Sequence, residues 1–266
     1  MARTSPSGST ATGSGSSYWD ASRKPLQILA FLAPLILLYE LGLAMFLRSR
    51  EGVLTNKAHE TLLLFFDTFG LTAAGGLYLG GAAIIVVLVI WHLLARDPWR
   101  IDPATPALMA AESLGLTIPV LVLGLVIGGS TAAAALSAAA PSVPPDLADM
   151  NIWARLSISI GAGLYEELLF RMMLIAVLHT LLVDVGKMAL PVGAAIAVVI
   201  SAVAFTAYHP LRDATGDLSW RRIAFYFLAG LYFGIVYVVR GFGIVVGTHA
   251  FYDVLVVSML SEPGDG

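Results

Sequence analysis

Runs of about twenty apolar residues recur along this chain, and they constrain its fold more tightly than any other feature. A hydrocarbon core ~30 Å thick is crossed by about 20 apolar residues in a helix, and backbone polar groups at that depth must be satisfied internally, as a helix does. Of 266 residues, 58% are hydrophobic and 12% charged, where soluble domains carry roughly a quarter charged. The expectation is an all-α polytopic membrane protein with about seven transmembrane helices, an eighth being allowed.

Residues 1–25 are rich in Ser, Thr, Gly and Ala, lack the apolar run of a signal peptide, and are expected to form a disordered tail. Tyr18 and Trp19 suit the headgroup level. Leu26 to Leu47 is the first predicted span, with Pro34 and a lone Glu40 inside it. For Glu40, a cavity-facing supporting role and a place near the interface are both open. Residues 51–70 set Leu62, Leu63, Phe65, Phe66 and Phe69 against Glu60 and Asp67, the pattern of an interfacial amphipathic helix near 56–70. Leu71 to Leu94 is a second span, its glycines allowing close helix approach, and Trp91, His92, Arg96, Trp99 and Arg100 mark its boundary. Pro106 to Ile127 is the third, with Glu112 near its start. The loop 129–150 carries no Lys or Arg and reads as the translocated side, placing the N-terminus in the cytoplasm. These N-terminal spans, 26–150, precede a C-terminal unit, 151–260, and a short tail, 261–266.

That unit begins with a span from Ile152 to Leu182, interrupted at Tyr165-Glu166-Glu167-Leu168-Leu169-Phe170-Arg171. Ionisable side chains at membrane depth are costly unless paired or facing a wet cavity, so they read first as a functional site. Glu167 and Arg171 are four apart, share a face and can pair, whereas Glu166 lies roughly 100° round the helix. One structural pair and one carboxylate with chemical work result; a clamp that only holds helices in register is the alternative.

Leu190 to Tyr208 is the next span, and Pro210 places His209 at a helix end or kink. A span from Ile223 to Val239 follows, and the last contains His249 and Asp253, again four apart. One carboxylate and two imidazoles from different helices point to water attacking a carbonyl, by either of two routes. Glu166, His209 and His249 could hold a divalent metal, zinc being one choice, with an open position. Alternatively Glu166 acts as general base on a water held by His209, while His249 and Asp253 stabilise the oxyanion. Straight helices leave a depth mismatch: at 1.5 Å per residue, Glu166 lies about 24 Å and His209 about 30 Å from one membrane side, but His249 only about 14 Å. Gly241, Gly243 and Gly247 suggest that 241–248 runs partly extended and carries His249 deeper.

In order, the chain shows Glu166-Glu167-x-x-x-Arg171, Phe205-x-x-x-His209 and His249-x-x-x-Asp253. This set resembles the CPBP intramembrane metalloproteases, which include the type II CAAX prenyl proteases and the bacteriocin-processing, Abi-like enzymes. The resemblance covers roughly 150–260. It implies a membrane-embedded endopeptidase, with Glu166 as the catalytic carboxylate, His209 as its partner on the water or metal, and His249 with residue 253 as oxyanion or second-ligand pair. Asp253 stands where the family most often has Asn. The substrate implied is a peptide or a membrane-anchored, in some cases prenylated, protein cut near the membrane surface, and the location a bacterial cytoplasmic membrane, with lipids as surroundings. A scaffold or immunity protein with a vestigial site, and a proton-coupled transporter, are the alternatives.

Other classes are excluded. No cysteine is present, which removes disulfides, thiolate metal sites and a cysteine nucleophile. A net charge of −3 without a basic run gives no basis for nucleic-acid binding.

Overall fold

The computed structural model describes residues 17–49, 52–53, 55, 57–70, 78–128, 150–213 and 215–260. In chain order these form α1 (Tyr18–Ala21), α2 (Pro25–Met45), the two-residue strands β1 (Arg48–Ser49) and β2 (Gly52–Val53), α3 (Lys57–Asp67), α4 (Leu79–Ala95), α5 (Ala104–Gly128), α6 (Ile152–Val185), α7 (Leu190–Tyr208), α8 (Trp220–Arg240) and α9 (Phe242–Leu260). Six of them, α2 and α5 to α9, are long and apolar enough to cross a membrane; α4 is apolar but has 17 residues. The protein is an all-α polytopic membrane protein. The expected span 71–94 is described only from Tyr78 onward, and the base-free loop that would orient the chain lies, apart from Met150, outside the described residues.

Local chemistry sets several helix ends. Asn151 caps α6 by accepting from the Ala154 N–H at 2.9 Å, and Pro25 opens α2 at a position whose N–H has no helical partner. Order begins before the expected tail ends at residue 25. Ser17 caps the short helix α1, whose side chains reach the far end of α8. There Arg240 pairs with Glu112 of α5, its guanidinium centred 3.6 Å from the Trp19 ring, and Tyr18 donates to the same Glu112. A four-residue helix carries little stability of its own, so these contacts hold it.

The most buried helix is α9, with 72% of its apolar window inside the protein against 22% for α5 and α6. It packs on α6, α5, α8 and α2. At Gly163 of α6 a Cβ would lie 2.6 Å from the Ala250 nitrogen of α9, so only glycine lets these backbones meet. Gly241, at φ 91°, makes the turn from α8 into α9.

Residues 242–248 are helical, contrary to the extended backbone expected there. The depth mismatch has another cause. Gly163 lies 22 residues before the end of α6 and Ala250 eight after the start of α9, yet they touch. At 1.5 Å per residue the far end of α6 therefore projects about 20 Å beyond the start of α9. Helix ends do not share one plane, so depths counted from them cannot be compared. Helix α6 is also longer than expected, 34 residues running to Val185, and it widens into π-type turns over Leu168–Ile175 and Thr180–Val185. A wide turn disturbs the backbone ladder, and Ser201 of α7 donates its hydroxyl to the Phe170 carbonyl at 2.8 Å.

Candidate active site

Glu166 and Glu167 end the regular part of α6, immediately before its first wide turn. From there the two carboxylates diverge. Glu167 faces α9: its Oε1 is 2.7 Å from His249 Nδ1, and its Oε2 is 3.1 Å from Arg171 Nε. Arg171 is fully buried, with its guanidinium 4.3 Å from the centre of the Phe205 ring and Nη2 donating to the Gly230 carbonyl at 3.3 Å. Such a charge is tolerable only because it meets a carboxylate, a carbonyl and an aromatic face together.

Glu166 faces α7, where its Oε2 lies 3.5 Å from His209 Nε2. His209 follows the last residue of α7 with extended backbone (φ −85°, ψ 158°), as the following proline requires. Its Nδ1 is 2.7 Å from the Phe205 carbonyl. A carbonyl only accepts, so Nδ1 carries the proton and, in the neutral ring, Nε2 turns a lone pair towards Glu166. Two acceptors this close need a proton from elsewhere, which a water lying to one side of both can supply. Tyr226 stacks on the His209 ring with centroids 4.2 Å apart, and Phe233 stacks on His249 at 4.7 Å.

His249 is held at both nitrogens, with Glu167 at Nδ1 and Asp253 Oδ2 3.5 Å from Nε2. His209, His249 and Asp253 border a cavity of about 20 Å³ walled by Phe205, Phe225 and Tyr226 among others. About 10–15 Å³ suffices for one water molecule. No side chain of this constellation is more than 6% exposed.

All six residues singled out in the sequence thus converge in two linked arms, Glu166 with His209 and Arg171–Glu167–His249–Asp253. Glu167 does more than pair with Arg171, since it also orients His249. A divalent metal bound by Glu166, His209 and His249 together does not fit this arrangement. Among the described residues no three His, Asp or Glu side chains converge as ligands.

Several contacts at the site have no counterpart in the motifs. Lys57 of α3 donates to the Tyr208 carbonyl at 3.0 Å, with its ammonium over the Tyr208 ring, so α3 touches the helix end that carries His209. Tyr226 and Phe233 are stacking partners on α8. The signal for α8 was its Gly230-x-x-x-Gly234 spacing, which brings Gly230 against Ala202 and Gly234 against Val198.

Residues 148–255, which contain every residue of the constellation, match a family model described as type II CAAX prenyl endopeptidase Rce1-like. Over that stretch the chain is similar to the Rce1-like family. Comparison with curated proteins and with solved structures yields no match. That similarity supports a CAAX-type intramembrane protease at the level of the family, and the convergent residues lie where the matched region packs most tightly, around α9.

Proposed function

We propose that the protein is an intramembrane endopeptidase that hydrolyses a peptide bond near the membrane surface with a water activated by Glu166, and that no metal takes part. The observation that carries this is the facing pair, Glu166 Oε2 and His209 Nε2, 3.5 Å apart, with His209 also bordering a cavity of one-water size. A water to one side of both donates one proton to His209 Nε2 and presents the other to Glu166. Glu166 takes that proton as the water oxygen bonds to the scissile carbonyl carbon. The carbonyl oxygen becomes an oxyanion, to which His249, protonated at Nε2, donates. Collapse then breaks the C–N bond, and the proton on Glu166 passes to the leaving amine, giving one new carboxyl and one new amino terminus. Glu167 holds His249 by its Nδ1–H throughout, and Asp253 balances the charge on the ring. Asp253 is therefore a positioning residue and not an oxyanion donor, which accounts for an aspartate at this place. The substrate class suggested by the family is a protein or peptide anchored in the bilayer close to its cleavage point, including prenylated ones.

The test compares membrane peptides from cells carrying the parent chain with those from cells carrying Glu166→Gln, alongside cleavage of a prenylated carboxy-terminal peptide by both purified proteins. Glu166→Gln should remove the cleavage products while its thermal unfolding in detergent matches the parent's. Equal product from both proteins would end the proposal.

A further inference from the structure

A cavity of about 520 Å³ lies away from the active site, where α1, the start of α2 and the start of α5 meet the segment after α4. Trp99 and Trp19 adjoin its lining residues in the chain and are 65% and 48% exposed; such rings settle among headgroups, which argues for a place at the membrane interface. The lining is amphiphilic, with Lys24, Gln27, Arg100 and Asp102 on one part and Ile101 and Leu108 on another. Ile101 and Leu108 are half exposed.

The polar groups have room for a ligand of mixed charge. Lys24 gives one contact to Asp97, at 3.2 Å, and retains further N–H groups. Arg100 contributes its backbone carbonyl to Gln27 Nε2 at 3.1 Å, and among the described residues its guanidinium has no hydrogen bond or ion pair. Asp102 caps α5 through the Ala104 N–H and the Thr105 hydroxyl, but a carboxylate has lone pairs to spare. Gln27 is only 6% exposed. Because its amide nitrogen faces the Arg100 carbonyl, its Oε1 is fixed as an acceptor, and among the described residues that buried oxygen has no donor. A buried amide oxygen costs free energy until a donor reaches it. Two cations against the carboxylates of Asp97 and Asp102 make the neighbourhood neutral, which suits a zwitterion better than an anion.

We propose that this cavity binds a phospholipid headgroup with both a phosphodiester and a primary ammonium. The phosphodiester lies against Arg100 and Lys24, the ammonium donates to Gln27 Oε1 and Asp102, and an acyl chain follows Ile101 and Leu108. A quaternary ammonium has no N–H for Gln27, and a headgroup of purely negative charge meets Asp102. Tyr18 also borders the cavity and donates to Glu112, the partner of Arg240. An occupied cavity therefore braces α1 on the turn that leads into α9.

The experiment uses the delipidated full chain in detergent, titrated with short-chain phosphatidylethanolamine, phosphatidylglycerol and phosphatidylcholine, with binding read by native mass spectrometry and by thermal shift. Phosphatidylethanolamine should bind about tenfold more tightly than either of the others, the equivalent of one good charged hydrogen bond. The double variant Lys24→Gln, Arg100→Gln should lose the binding, and Gln27→Leu should lose the preference over phosphatidylcholine; unfolding of the lipid-free variants at the parent's temperature shows that the fold survives. Equal binding of all three lipids, undiminished binding by the double variant, or displacement by millimolar inorganic phosphate alone would overturn the proposal, the last by showing a site for a soluble anion.

Discussion

His209 Nδ1 donates to the Phe205 carbonyl one turn back, at 2.7 Å, and this bond decides what His209 offers Glu166. With the proton committed to Nδ1, Nε2 is an acceptor, which in the proposed mechanism leaves Glu166 to take the proton and His209 to hold the water. Replacing His209 by Gln, whose amide can still direct an acceptor near the Nε2 position, should retain a measurable fraction of turnover, whereas His209→Leu should retain none. Single-turnover cleavage by the two variants checks this, and equal loss from both would show that the ring serves otherwise.

Glu167 touches two basic side chains and is fully buried. Glu167→Gln should leave the Arg171 charge buried and uncompensated, a defect of about 3–5 kcal/mol, read as a large fall in unfolding temperature. Glu166→Gln should leave that temperature nearly unchanged. Both variants should lose cleavage, so stability and not activity separates the two roles.

Gly163 presses on Ala250 with no room for a side chain. Gly163→Val should force α6 and α9 apart, break the 2.7 Å contact of Glu167 with His249, and abolish activity in a protein that also unfolds earlier. Gly115, whose Cβ would meet nothing, provides the control, and Gly115→Ala should be silent in both measurements.

If the chemistry needs no metal, exhaustive treatment with a chelator followed by desalting should leave cleavage intact, and metal content of the active protein should fall well below one ion per chain. Activity that vanishes and returns with zinc would require a ligand set other than Glu166, His209 and His249 as placed here.

Outside the spans, burial and the neighbouring Glu112 push the Tyr18 phenol up to about 12 from its usual 10.0. A raised folded-state value means that the protonated phenol contributes stability fully below pH about 10 and loses it as pH climbs through the folded value. The gap in unfolding temperature between the parent and Tyr18→Phe should be constant from neutral pH to pH about 10 and narrow above it.

The spans announce themselves by composition, and the constellation by three ionisable motifs that lipid would not tolerate idle. What resisted prediction has physical causes. The four residues of α1 owe their order to Arg240 and Glu112, far away in sequence. The wide turns of α6 leave no local signature, since Leu168 to Ile175 reads as any apolar helix. Glycines at 241, 243 and 247 suggested an irregular backbone, but only Gly241 needs an unusual dihedral; at Gly243 and Gly247 a Cβ would crowd Met109 and Ser113. Their smallness serves packing rather than flexibility.

Helix α6, at 34 residues, would reach about 51 Å if uniformly wound, whereas a bilayer offers ~30 Å of hydrocarbon. The surplus obliges this helix to lean, to run on past the hydrocarbon, or to thicken the bilayer beside it. Membranes of different thickness would then change the angle at which α6 stands, and with it the height at which a tethered substrate meets Glu166.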